Sequence, residues 1–457
     1  MNHLGIDIPI KNIPAYDPGF IPMSLFCREY LKRAKKPVAI AIERNDGLIS
    51  IFDTFITGTN RAADQFYVER TVKFLLWMKG GFRIAICGDD AIASYIRQVY
   101  NSGGARSFDS AFMSRVYGRG FEVVSLPLDQ KPAEKERSSP AGGNFAGCRI
   151  GFDAGGSDRK VSAVIDGEAV YSEEVVWSPK TNPDPDYHFN EILRAFKTAQ
   201  QKMPRVDAIG VSSAGIYIDN RTMVASLFLK VPPDAFNEKV KDIYIRAAKE
   251  IADACKHQVP LRVFNDGDVT ALAGAMELDD NNVLGIAMGT SEAGGFVDAS
   301  GNISGWLNEL AFAPVDANAD ALACEWSGDV GCGVKYFSQD AVIKLAGNAG
   351  ISFEENATPS EKLKLVQNLL TQDDPRAPEI FKSIGCYLGH ALPYYFAFYG
   401  FRHVLLLGRV MSGEGGNIIL ETARRVLEEE YPGRGFQMHL PDEKSRRVGQ
   451  SVAAASL

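Results

Sequence analysis

The apolar and polar positions alternate in two registers along the chain, and the switches between them mark the elements. "PVAIAIE" (37–43) and "LISIFDTFI" (48–56) are β-branched runs joined by "RNDG", and the Asp-Gly step predicts a hairpin between two strands. The spacing in "AADQFYVERTVKFLLWMKG" (62–80) predicts a helix, followed by a strand in "FRIAICG" (82–88), a helix in "DDAIASYIRQVY" (89–100) and a further strand in "GFEVVSLPL" (120–128). The stretch "DQKPAEKERSSPAGGNFAG" (129–147) has almost nothing apolar to bury and predicts an exposed linker.

The same grammar returns after the linker. "CRIGFDAGG", "KVSAVIDGEAV" and "YSEEVVW" predict three strands, "YHFNEILRAFKTAQQKM" a helix, and "VDAIGVSSAG" a strand ending in small residues. A helix over 239–257, the strand "PLRVFND" and a helix in "DVTALAGAME" follow, and "NVLGIAMGTSEAGGFVDASGNI" opens a second, similar half. Near the end "HVLLLGRVMSGEGGNIILETARRVLEEEY" reads as strand, glycine turn and helix. Strands alternating with helices predict an α/β protein with two related lobes.

Composition narrows the class. At 457 residues there is chain enough for two or three domains, and a formal charge of −8 gives no basic excess to meet nucleic acid or an acidic membrane. Seven scattered cysteines form no paired framework, no apolar run reaches the length of a membrane span, and no leader-like segment opens the chain. A soluble cytoplasmic protein is expected.

Chemistry concentrates at strand ends. The turns "DAGGS" (153–157), "NDGD" (265–268), "GTSEAGG" (289–295) and "GRVMSGEGG" (408–416) set glycines where successive amides can face a phosphate oxygen. An acid beside such a turn suits Mg²⁺ held through water, or proton removal from an attacking hydroxyl. Taken singly each turn is an ordinary tight connection, and "NDGD" a helix N-cap. None is a Walker loop or a Rossmann fingerprint.

Together, and in this order, they resemble the ROK family (repressors, open reading frames and sugar kinases) of the actin, hexokinase and heat-shock-chaperone ATPase superfamily. "IGFDAGGSDRKVSAVID" resembles the family's first phosphate motif, "GVSSAGIYID" its Pro-Gly strand end with Ala214 for the Pro, and "FNDGDVTALAGAME" its Asn-Asp sugar motif. "GIAMGTSEAGGFV" resembles the second phosphate motif, "VLLLGRVMSGEGGNII" the adenosine motif, and "GQSVAAAS" the closing helix.

The resemblance implies two actin-like ATPase (ribonuclease H-like) lobes around a cleft: lobe I at 148–264 with a closing helix at 444–457, and lobe II at 265–443. It implies transfer of the ATP γ-phosphoryl group to a hexose hydroxyl, with Asp266 as catalytic base and Asn265, Glu309, Ser213 and Gly215 against the sugar. Asp153 would hold Mg²⁺ through water. Gly155, Gly156, Ser157 and Lys160 would face the ATP phosphates from one lobe, Gly289, Thr290, Gly294 and Gly295 from the other, with Gly408 and Gly413 beneath the adenosine. The partners implied are a small sugar and neither nucleic acid nor membrane; a homodimer is left open.

The chain also departs from the pattern. Where the family carries a zinc-binding His this chain has Phe312, and Cys324 and Cys332 stand without the compact cysteine cluster. Two thiols with no nearby His cannot close a four-ligand site, so no zinc is expected. Val334 stands where a sugar-binding Glu is usual and Arg409 replaces a glycine beside the adenine position. Both changes bear on which sugar and nucleotide fit. Residues 1–128 predict an α/β accessory domain with the order of a degenerate lobe, with Glu43 for the Asp and no glycine pair. The retained acids favour a kinase. Phe312 and Arg409 favour the alternative, a catalytically silent sugar or nucleotide sensor on the same fold. An activator ATPase, the third reading, would bridge an iron–sulfur cluster with cysteines spaced as none are here.

Overall fold

The computed structural model describes residues 1–140, 142–441 and 445–457. The chain forms two compact units, one of Met1–Arg137, Ile286–Gly294 and Trp306–Leu440, the other of Ser138–Gly285, Gly295–Gly305 and Pro441–Leu457. The N-terminal α/β segment is therefore built into the same unit as most of the C-terminal half. Residues 444 and 443, the expected start of the closing helix and end of lobe II, lie outside the described residues.

After a two-residue antiparallel pairing of Asn2–His3 with Ile6–Asp7, that first unit continues with α1 (Met23–Leu31), then β1 (Lys36–Glu43), β2 (Ile49–Ile56), α2 (Arg61–Lys79), β3 (Arg83–Cys87), α3 (Asp90–Val99), α4 (Ser107–Tyr117) and β4 (Glu122–Leu126). The expected hairpin forms: Asp46 and Gly47 take φ of 57° and 64°, the left-handed pair a tight two-residue turn requires, and Glu43 pairs with Ile49. The sheet runs β2-β1-β3-β4, with β1 antiparallel to β3. Helix α2 starts on an Asn60 cap that accepts the Ala63 N–H, and every residue over 67–78 is buried. A helix buried all round carries its charged residues into the core, where each must find a partner.

The second unit is laid out on β5 (Cys148–Ala154), β6 (Asp158–Ile165), β7 (Glu168–Val176), α5 (Pro185–Gln200), β8 (Ala208–Ser213), α6 (Ile243–Cys255), β9 (Leu261–Asn265) and α7 (Asp266–Leu278). The sheet order is β7-β6-β5-β8-β9, with β5, β8 and β9 parallel. Ile150, Phe152 and Val211 from the strands and Phe196 and Ile251 from the helices share one core. Here the first strand pairs in parallel with β8, whereas β1 pairs antiparallel with β3. The expected likeness of the N-terminal segment to a degenerate lobe thus does not extend to sheet topology.

Strands β10 (Val283–Met288) and β11 (Glu292–Val297) carry the chain between the units. The first unit then adds α8 (Gln339–Asn348), α9 (Pro359–Thr371), α10 (Arg376–Tyr399), β12 (His403–Leu407), α11 (Glu414–Glu430) and β13 (Gln437–His439), with β12 and β13 parallel. The chain closes with α12 (Ser445–Ala455) in the second unit.

Two glycines let α12 lie on the sheet of that unit. A Cβ at Gly151 would fall 1.8 Å from the Ser451 carbonyl oxygen, and one at Gly210 would fall 1.7 Å from that of Ala454. Backbone cannot yield at that distance. Gly210→Ala is expected to cost about 1–3 kcal/mol of stability by overpacking, and to raise hydrogen exchange over 449–457 selectively. Unchanged exchange there would remove the close-packing role. Among the described residues no helix is long and apolar enough to cross a membrane.

Candidate functional site

In the second unit the parallel strands end together, and register decides what meets. Asp153 lies opposite Ser212, and Ser213 opposite Asn265, so the last residues of β5, β8 and β9 form one edge. Open α/β sheets bind ligands at such carboxyl ends. The Ser212 hydroxyl donates to Asp153 at 2.8 Å. Burial pushes the Asp153 carboxyl up to about 6, against that hydrogen bond, and the negative charge of Asp266 adds to the rise. Burial likewise holds the half-buried Asp266 above its ordinary value, although the Gly267 N–H donates to it at 3.0 Å.

Asn265 caps α7 by accepting the Gly267 N–H at 2.8 Å, and its amide donates to the Gly215 carbonyl at 2.7 Å. The N-cap role anticipated for "NDGD" is real, and it fixes where Asp266 starts the helix. The buried Ser213 hydroxyl contacts those of Tyr217 and Tyr244 at 2.6 and 2.8 Å, so this residue braces the strand end. Gln450 of α12 donates to the Asp266 carbonyl at 3.1 Å and to the Ser212 hydroxyl at 3.2 Å. Periodicity could not single it out, since its role depends on where the last helix docks.

The "GGS" turn is on the surface of this unit, with Gly156 and Ser157 exposed. The Ser157 hydroxyl donates to Asp158 at 3.0 Å, and Asp158 pairs with Lys160 at 3.2 Å. Lys160 in turn is directly opposite Asp153 across β5 and β6. Gly295 answers a close approach: a Cβ there would be 2.0 Å from the Gly267 carbonyl oxygen.

In the first unit the hairpin between β10 and β11 exposes Thr290 at its turn. The Gln339 N–H at the start of α8 donates to the Gly289 carbonyl at 2.9 Å. A Cβ at Gly294 would be 2.5 Å from the Asn308 carbonyl oxygen, which places the turn holding Glu309 against this hairpin. Gly408, at φ 101°, passes the end of β10 so closely that a Cβ would be 2.3 Å from the Met288 carbonyl oxygen. Gly413, at φ 68°, precedes α11. Arg409 is exposed; its guanidinium donates to Ser360 at 3.2 Å and its carbonyl accepts from Gln367 at 3.0 Å.

Two features had no sequence signal beyond their residue type. Phe312 stacks on Trp77 with ring centres 4.0 Å apart, so an aromatic pair occupies the position where the resemblance places a His. Cys324 and Cys332 are buried, and the effect of the Cys332 side chain draws the Cys324 thiol down to about 5. Among the described residues no group of three or more His, Cys, Asp or Glu side chains is placed to hold a metal ion.

Glu292, beside the hairpin turn, is 2% exposed, and its Oε2 has no hydrogen-bond partner. Burial pushes its carboxyl up to about 8 from an ordinary 4.5, offset only by the Tyr395 hydroxyl. Between those values the unfolded chain releases the proton while the folded chain keeps it, so this group's contribution to stability falls as pH rises through the window. Glu292→Gln should remove that slope. Denaturation midpoints at pH 5 and 8 are expected to draw apart in the wild type more than in the variant; parallel shifts would refute the buried neutral acid.

A model of the ROK family matches residues 149–434. A ROK hexokinase from Thermus thermophilus superposes with a TM-score of 0.52 at 19% identity, over 67% of this chain and 96% of that one. A ROK transcriptional regulator, a homologue of the E. coli MLC protein, gives 0.51 at 16% identity over 68% and 78%. A ROK glucokinase from Streptomyces griseus, solved with glucose and AMPPNP, gives 0.49 at 20% identity over 68% and 98%. No curated protein matches the chain.

The fold is thus α/β, that of the two-lobed actin-like ATPases. The chain belongs to the ROK family, with about the first 148 residues outside the matched region.

Proposed function

We propose that this protein is an ATP-dependent sugar kinase that transfers the γ-phosphoryl group to a hydroxyl of a hexose. The observation that carries the reading is the pairing of two acids at converging strand ends, Asp153 on β5 and Asp266 at the first turn of α7, both held above their ordinary pKa. A base whose pKa lies closer to neutrality is matched to proton removal from a hydroxyl.

In this reading Asp266 takes the hydroxyl proton as the sugar oxygen bonds to the γ-phosphorus, and the bond to the bridging oxygen breaks to leave ADP. Asn265 offers the sugar its second amide hydrogen, the first being held by Gly215. Glu309 accepts from another hydroxyl of the sugar. The amides around Gly155, Gly156, Ser157, Gly289, Thr290, Gly294 and Gly295, with Lys160, hold the phosphates, and Gly408 and Gly413 let the adenosine lie on backbone.

Mg²⁺ fits the donor set: Asp153 is a desolvated carboxylate with a like charge beside it, which a cation would relieve. When bound, the ion neutralises charge on the transferring phosphoryl group. Seven free cysteines suit a reducing, cytoplasmic setting.

A second reading keeps sugar binding and drops catalysis. The likeness to a ROK regulator, at a TM-score of 0.51, favours it. Coupled ADP release with Mg²⁺-ATP separates the two across glucose, mannose, galactose, glucosamine, N-acetylglucosamine and N-acetylmannosamine. A sugar-dependent signal supports the kinase. Silence, in protein whose melting temperature still rises with one of these sugars, supports the sensor.

A further inference from the structure

We propose that the N-terminal segment is part of the substrate site, with Trp77 of α2 as the positioning residue that sets Glu309. The proposal rests on the reading of Glu309 as a sugar contact. The last turn of a helix leaves carbonyls without intrahelical partners. At the end of α2 those of Trp77 and Met78 are taken by the N–H groups of Glu309 and Asn308, both at 2.9 Å. The backbone of the substrate turn is thus the C-terminal cap of α2.

The other end of the same turn is tied to the same residue. The Phe312 N–H closes the turn on the Glu309 carbonyl at 3.2 Å. Its ring stacks on the Trp77 indole at 4.0 Å and 23°. Trp77 cannot drift, because its indole N–H donates to Asp109 at 3.2 Å and Lys73 holds the other oxygen of that carboxylate at 2.9 Å.

At the first tie Asn308 takes a left-handed φ of 52° and accepts the Tyr399 hydroxyl at 3.0 Å. A non-glycine residue keeps that conformation only where its surroundings over-determine it. Glu309 therefore gets its place from a helix some 230 residues earlier in the chain. An indole moved or lost at position 77 displaces it at first hand, whereas the β10–β11 hairpin meets that turn through the backbone at Gly294.

The test compares Trp77→Leu, Trp77→Phe, Phe312→Leu and Glu309→Gln in the full chain, with the panel sugars, by steady-state kinetics and by calorimetric sugar binding. Trp77→Leu and Phe312→Leu are expected to raise the sugar KM about tenfold or more, as misplacement of a binding group does, with the ATP KM within about twofold. Trp77→Phe should recover most of the loss. In a Glu309→Gln background neither change should weaken sugar binding further, since both act through Glu309.

The half-exposed Phe312 keeps the test open if Trp77→Leu fails to fold. An unchanged sugar KM in folded Phe312→Leu, equal rises in both KM values, or losses that multiply in the Glu309→Gln background would each overturn the positioning role and leave Glu309 standing. A Glu309→Gln variant with wild-type sugar affinity removes the reading of Glu309 and the proposal together.

Discussion

Asp266→Asn is expected to lower kcat by about a thousandfold, within the range that positioned general bases contribute, while the sugar KM changes by less than about threefold. The amide keeps the size of the carboxyl and accepts the Gly267 N–H as before, so the start of α7 stays where Asn265 and Gln450 hold it. What is lost is the lone pair that takes the proton. Because the substitution also removes the charge that raises Asp153, the Asp153 carboxyl should ionise at lower pH in the variant. Steady-state kinetics over pH 5 to 9 check both points. A variant within about tenfold of wild-type kcat would leave Asp266 as a helix-starting residue and nothing more.

Lys73→Met is expected to remove about 3–5 kcal/mol of stability, the cost of breaking a buried ion pair from one side. Lys73 is fully buried, with its ammonium 2.9 Å from Asp109 and 3.2 Å from Asp329. Arg70 pairs with Asp329 at 2.8 Å and with Glu69 at 2.6 Å, and Arg106 pairs with the same two acids. Three cations thus balance three carboxylates. Burial alone would raise the Asp329 carboxyl, yet the charges of Arg70, Lys73 and Arg106 hold it well below its usual range.

Methionine matches the lysine stem in volume, so the loss comes from an uncompensated negative charge in the core rather than from a cavity. Lys73→Met with Asp109→Leu should recover part of it. Urea unfolding with an unchanged m-value reads the effect. A loss below about 1 kcal/mol would show that water or a rearranged side chain reaches the cluster.

The local half of this architecture is legible in the residues. The hairpin at Asp46–Gly47, the three strands from Cys148 and the N-cap at Asn265 rest on turn chemistry and on period, which act over a few positions. So do the strand-end acids, because a strand that stops at an Asp beside glycines announces itself. Pairings across the chain do not. Arg70 meets Asp329 across 259 residues and Lys11 meets Glu430 across 419, and no window of sequence relates them.

For that reason residues 1–128 read as a separate accessory domain, whereas their contacts group them with Ile286–Gly294 and Trp306–Leu440 in one unit. Phe312 shows the same limit. Read alone it is a missing ligand; beside Trp77 it anchors a turn. Its meaning came from α2, whose burial on every side would be legible only with its partners known.

Phosphoryl transfer to a sugar with Asp266 as base makes a product that is visible at phosphorus. Phosphorus NMR of wild type and Asp266→Asn, each with Mg²⁺-ATP and the most active sugar of the panel, tests it most directly. A sugar-phosphate resonance is expected to grow with the ADP signals in the wild type and to be absent from the variant over the same time. ADP and inorganic phosphate without a sugar phosphate, or a sugar phosphate formed equally fast by the variant, would contradict it.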